Sequence, residues 1–151
     1  MAKNKGISII ETLIVIGILA LLGNFVVMAF KSFSSSEALN KDANLAVSLL
    51  NQARVMTLSS KNNYQYGVHF DATKMVLFRG SSYSSATTTN VSFQLSTGVT
   101  ATTALTGGGL NVIFQRLTGK TTQNGTITFS LSGSTTTKSV TIFNTGAIQI
   151  N

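Results

Sequence analysis

An apolar run from Thr12 to Phe30, entered through Lys5-Gly6-Ile7-Ser8-Ile9-Ile10-Glu11, sets the terms for the rest of this chain. From Ile7 to Phe30 an α-helix would be about 36 Å long, enough to cross a hydrocarbon core of about 30 Å. One carboxylate, Glu11, stands near its start. A charge at a helix centre costs about 2.5–3.5 kcal/mol on insertion scales, so an ionisable residue in such a segment is a functional candidate by default. Lys3 and Lys5 precede the run and hold that end in the cytoplasm, which predicts an N-in, C-out orientation with everything beyond about residue 31 on the far side. Lys31 marks the outer boundary.

Two plain readings compete for this segment. A secretory signal peptide would be cut after a small-x-small site, and Val27-Met28-Ala29 offers one, but the run is overlong and holds a carboxylate. A simple signal anchor explains length and orientation, and has no use for Glu11. The third reading is a resemblance. The sequence Lys5-Gly6-Ile7-Ser8-Ile9-Ile10-Glu11-Thr12-Leu13-Ile14-Val15-Ile16-Gly17-Ile18-Leu19 resembles the processing site of type IV prepilins and pseudopilins. In that family a basic leader ends in Gly, an apolar residue follows, and Glu is fifth in the mature chain. The resemblance implies cleavage between Gly6 and Ile7 by a prepilin peptidase, with N-methylation of the new terminus. It also implies assembly through Ile7 and Glu11 into a homo- or hetero-polymer, served by an inner-membrane platform, and a periplasmic or cell-surface filament as the destination.

The chemistry of that cut can be argued from the residues. A free amine on Ile7 would sit one turn before Glu11, at the positive end of the helix dipole, where a carboxylate is favoured. If helices assemble with an axial stagger, Glu11 of one subunit meets the amine of the next, and the pairing offsets a desolvation that isolated charges could not bear. Gly17, Ala20 and Gly23 offer close approach between helices, although membrane helices are often Gly-rich in any case. Pilins commonly carry a proline in the second half of this segment and this chain has none, so any local bend falls to Gly23-Asn24.

Past Lys31 the texture changes. Ser32 to Ser36 could form a hinge, but Leu39, Ala43, Ala46, Leu50 and Ala53 resume at steps of three and four, widened by Leu49 and Met56. Lys41, Asp42, Asn44, Ser48, Asn51, Gln52 and Arg54 fall largely on the opposite side, which predicts an amphipathic helix lying on something apolar. Helical character is expected almost unbroken from Ile7 to Leu58. Strands follow: Tyr64 to Phe70 and Lys74 to Arg79 as a hairpin, then Val91 to Leu95, Val99 to Leu105, Leu110 to Leu117, Thr126 to Leu131, Ser139 to Asn144 and Ala147 to Ile150. Thr126-Ile127-Thr128-Phe129-Ser130-Leu131 and Val140-Thr141-Ile142-Phe143 alternate cleanly, so a one-sided antiparallel sheet should lay its apolar face on the helix stripe.

The expected class is α+β: a leader at 1–6, a membrane-spanning assembly helix at 7–30, an amphipathic helix at 31–59 and an antiparallel β domain at 60–151. At 151 residues the chain has room for one domain of ordinary size plus an N-terminal appendage. The helix ending Leu50-Asn51-Gln52-Ala53-Arg54, the strand after an Asn-rich turn, and the C-terminal Val-Thr-Ile-Phe-Asn-Thr-Gly-Ala-Ile-Gln-Ile pattern are similar to the GspH/FimT group of minor pseudopilins.

Catalysis has little material. The four acidic residues, Glu11, Glu37, Asp42 and Asp71, are scattered, and there is no cysteine for a disulfide, a thiolate metal site or lipidation. His69 alternates with Val68 and Phe70 as a structural residue would, so no metal or cofactor is expected. Gly107-Gly108-Gly109 lacks the Lys-Ser/Thr ending of a phosphate loop. Asn90-Val91-Ser92 and Asn124-Gly125-Thr126 match the N-glycosylation pattern, in loops rich in Ser and Thr. The net charge of +7 leaves nucleic acid as an alternative partner, through Arg54, Lys61, Lys74, Arg79, Arg116, Lys120 and Lys138. Some GspH/FimT-like pilins take up DNA; in those relatives the C-terminal strand region carries arginines, and Gly146-Ala147-Ile148-Gln149-Ile150 has none.

Overall fold

The computed structural model describes Gly6 and residues 8–151, the side chains of residues 28–32 excepted. The chain divides into two compact units, one ending at Ser35 and the other running from Ser36 to Asn151. One helix, α1, is continuous from Ile9 to Leu58. It passes through Gly23-Asn24, where the Asn24 amide donates to the carbonyl of Ala20 at 2.8 Å, so the polar side chain is satisfied by its own helix. It also passes through 32–36, where the serines allowed a hinge.

In the first unit the large apolar side chains from Ile9 to Val27 are all exposed, Ile9 by 83%. Among the described residues this is the one helical stretch long and apolar enough to cross a membrane. Among the described residues nothing covers it, and a helix that is apolar all round needs a surrounding of lipid or other helices.

In the second unit the helix stripe is fully covered. Leu39, Ala43, Ala46, Leu50 and Ala53 have no exposed surface. The small residues let strands approach closely, and Leu50 brings the roughly 1.5–3 kcal/mol that burial of a large apolar side chain is worth. Asp42 departs from the expected polar face: it is completely buried, and its carboxylate accepts from the Ser96 backbone N–H at 2.8 Å and from the Ser96 hydroxyl at 3.1 Å. Helical spacing placed it among solvent-facing residues, and a distant loop supplies the donors that let it go inside.

The partner of the helix is two sheets where one was expected. The strands are β1 (Tyr66–Phe70), β2 (Lys74–Arg79), β3 (Val91–Gln94), β4 (Val99–Leu105), β5 (Asn111–Ile113), β6 (Gly125–Leu131), β7 (Thr137–Ile142) and β8 (Ile148–Ile150). The first sheet has the order β3-β2-β1-β5 and the second β4-β6-β7-β8, with every pairing antiparallel. The chain crosses to the second sheet at β4, returns to the first at β5 and crosses again at β6, and the Ala101 N–H of β4 donates to the carbonyl of Ala72 in the turn between β1 and β2. Val68, Phe70, Met75 and Val112 from the first sheet join Ile127, Phe129, Val140 and Ile142 from the second in one core with the helix stripe.

The first sheet is also covered on its outer face. Phe78 and Val76 point away from the helix yet are 1% exposed. The Ser/Thr-rich loop after Arg79 accounts for part of this: Tyr83 stacks on His69 with centroids 3.9 Å apart and meets Phe78 edge-on. Gly67, opposite Phe78, gives the ring its place, since a Cβ there would stand 2.7 Å from the Phe78 ring and 2.6 Å from the carbonyl of Val112. The second sheet keeps the expected alternation, with Thr100, Thr102, Thr126, Thr128 and Ser130 on the side opposite its apolar face.

The expected strand from Leu110 to Leu117 stops at Ile113. After Phe114 the chain closes a short loop, with the Gln115 N–H donating to the Lys120 carbonyl and the Gly119 N–H to that of Gln115. Leu117 sits there with φ 67°, a left-handed conformation no strand residue adopts.

Candidate functional site

The residues singled out in the sequence fall at two places. At the start of α1, Gly6 is exposed and outside the helix, and a Cβ at that position would meet nothing within 4 Å. Glu11 lies in the first helical turn, exposed, where the unsatisfied N–H groups and the helix dipole favour a negative charge. Among the described residues it has no hydrogen-bonding or ionic partner. Ile7, Lys3 and Lys5 lie outside the described residues, as does the side chain of Lys31. Gly17 and Gly23 also have nothing within 4 Å of a Cβ position, so the backbone is open to close approach at both.

The second place is the C-terminal end of the helix in the sheet unit. Three residues of left-handed backbone, Ser60, Asn62 and Asn63, turn the chain from the helix toward β1. Buried Thr57 ties the two together: its hydroxyl donates to the Ala53 carbonyl at 2.8 Å and accepts from the Tyr66 N–H at 2.9 Å. Beside this turn lies the loop from Gln115 to Lys120. The Arg54 Nε donates to the carbonyl of Gly119 at 3.3 Å, and Arg116 donates to both the backbone carbonyl and the side-chain oxygen of Asn63. The Thr121 N–H donates to the carbonyl of Asn144, which joins the loop to the chain between β7 and β8. Gly146, at φ 80°, completes the junction, because a Cβ there would stand 2.0 Å from the Gly119 oxygen.

This framework holds Leu117 85% exposed. A bulky residue in the left-handed region costs on the order of 1–3 kcal/mol and persists only where its surroundings over-determine it. Next to it, Gln115, Lys120, Thr121, Thr122, Asn144 and Thr145 line a polar depression of about 210 Å³. The sequence hid this feature because Leu110 to Leu117 reads as one apolar strand. The signal present was Thr118-Gly119, a turn pair directly after it.

The seven basic residues are not equivalent. Arg54 and Arg116 are engaged in the loop junction, Lys74 pairs with Asp71 at 3.9 Å, and the Arg79 guanidinium stacks 4.3 Å from the centroid of the Tyr64 ring. Lys61, Lys120 and Lys138 have no such partner among the described residues. Arg54, Lys61, Arg116 and Lys120 gather at the end of the helix, and Lys74 lies in the β1–β2 turn region. His69 is half-buried between the Tyr83 ring and Asn111, whose Oδ1 is 2.7 Å from the imidazole Nδ1. Among the described residues no three His, Cys, Asp or Glu side chains come together as metal ligands would.

A family model described as "Type II transport protein GspH" matches residues 32–146, well over half of the chain. The match begins after the apolar run, so it is independent of the motif around Gly6 and Glu11. No curated protein and no solved structure gives a significant match.

Proposed function

Because the chain belongs to the GspH family of type II transport proteins, a pseudopilin family, we propose that it is a filament subunit, cleaved between Gly6 and Ile7 and polymerised through α1. The observation that carries this reading is the bare apolar helix with a single carboxylate in its first turn. Among the described residues such a helix has no folding partner, and Glu11 has no countercharge. The amine that cleavage would create on Ile7 of a neighbouring subunit supplies the countercharge, and neighbouring helices supply the cover. In lipid the unpaired charges select against any other register.

The chain inserts in the inner membrane N-in, C-out, is cut and methylated by a prepilin peptidase, and is drawn into the filament by the assembly platform. The sheet unit, residues 36–151, is what the filament displays. It works by assembly and carries out no turnover. A type II secretion filament fits the family match; a type IV pilus or a competence filament would use the same helix chemistry. The reading of the sheet unit as a DNA receptor or adhesive tip finds Arg54, Lys74, Arg79 and Arg116 already engaged with protein groups.

Mass spectrometry of the mature N-terminus tests the proposal. A chain beginning at Ile7, N-methylated, is expected; one beginning at Met1 or Phe30 would overturn it. Glu11→Ala should insert normally and fail to assemble, and ordinary incorporation of that variant would remove the role given to Glu11.

A further inference from the structure

We propose that the loop Gln115–Lys120 is a docking knob for another pseudopilin of the same filament, with Leu117 entering an apolar socket on that subunit and Lys120 receiving one of its carboxylates. This rests on the filament-subunit reading above. Hydrogen bonds from Arg54, Arg116, Gln115 and Gly119 fix the loop. Yet the side chain at its apex is 85% exposed. A framework that holds an apolar residue in a strained conformation, in water, serves contact with something outside the chain. Because the loop is already ordered, little conformational freedom remains to be lost on binding.

The charges indicate the partner. Lys120 lines the polar depression with Gln115, Thr122, Asn144 and Thr145, and its ammonium has no ionic partner among the described residues. Past Asp42 the sequence contains one acidic residue, Asp71, and that one pairs with Lys74. Among the described residues no carboxylate pairs with Lys61 or Lys120, and an acidic rim around an apolar socket on another molecule answers both features. Position favours a protein. The chain enters the unit at Ser36, and the loop lies beside Arg54 and Leu58, about 27 and 33 Å along the helix from that point.

The test uses the full chain in cells that carry the other pseudopilins of its own secretion system. A photo-crosslinking amino acid in place of Leu117 should give one adduct, with one of those pseudopilins. With the detergent-solubilised full chain, Leu117→Gly and Lys120→Glu should each weaken association with that subunit about tenfold or more. Leu117→Gly should leave the thermal midpoint unchanged or raised, since glycine is at ease in the left-handed region; a purely structural leucine would behave the other way. Adducts with phospholipid or nucleic acid only, or Leu117→Gly binding like the unaltered chain, would overturn the inference and leave the filament reading standing. If the unaltered chain associates with none of those pseudopilins, both fall.

Discussion

The two halves of α1 share a backbone conformation and differ in everything else. From Ile9 to Val27 the apolar side chains face outward all round, and from Leu39 to Ala53 the apolar stripe has no exposed surface. One half is left uncovered among the described residues, and the other is held by strands of its own chain. The first unit should therefore be indifferent to changes in the sheets, and the second to changes in the apolar run. Four substitutions in the full chain, melted in detergent micelles and followed by tyrosine fluorescence, can break or sharpen this contrast.

Phe129→Ala removes a large, fully buried ring shared by the second sheet and the helix stripe, and should cost the sheet unit about 3–5 kcal/mol. A melt within experimental error of the unaltered chain would mean that the unit does not depend on this core. Gly146→Ala forces a Cβ against the Gly119 oxygen at a left-handed φ, with an expected loss of about 2–3 kcal/mol. Asp42→Asn keeps the shape and one acceptor but gives up the charge, and should cost about 1–2 kcal/mol through the weakened bonds from Ser96. Leu21→Ala, in the first unit, should shift the same melt by less than about 0.5 kcal/mol. A loss comparable to that of Phe129→Ala would show the two halves to be energetically coupled and end the contrast.

What could be read from the sequence follows the range of the interactions. The stripe from Leu39 to Ala53 and the alternation of Thr126 to Leu131 are local periodicities, and both turned up on the expected faces. The division into two sheets is not local: Leu95 and Val99 look like neighbours in one sheet, and only the pairing of β4 with β6, some twenty-five residues on, separates them. The burial of Asp42 depends on Ser96, and the end of β5 depends on Arg54 and Asn144, contacts no window of sequence contains. Tyr83, isolated in a serine-rich stretch, was the mark of a loop that covers something. At the start of α1 the motif around Gly6 and Glu11 could be read without any tertiary information, since it is one contiguous run of residues.

The Asp42–Ser96 contact also has a mechanical side. In the filament proposed above, a pull along the helix would enter the second unit at Ser36. Asp42 lies less than two turns further on, and Ser96 belongs to the stretch where the chain crosses from one sheet to the other. The two bonds to that carboxylate would be among the first to bear such a pull, and would pass it to the first of the crossings between the sheets. In that setting the contact would act as a clasp between the helix and the stretch that links β3 to β4.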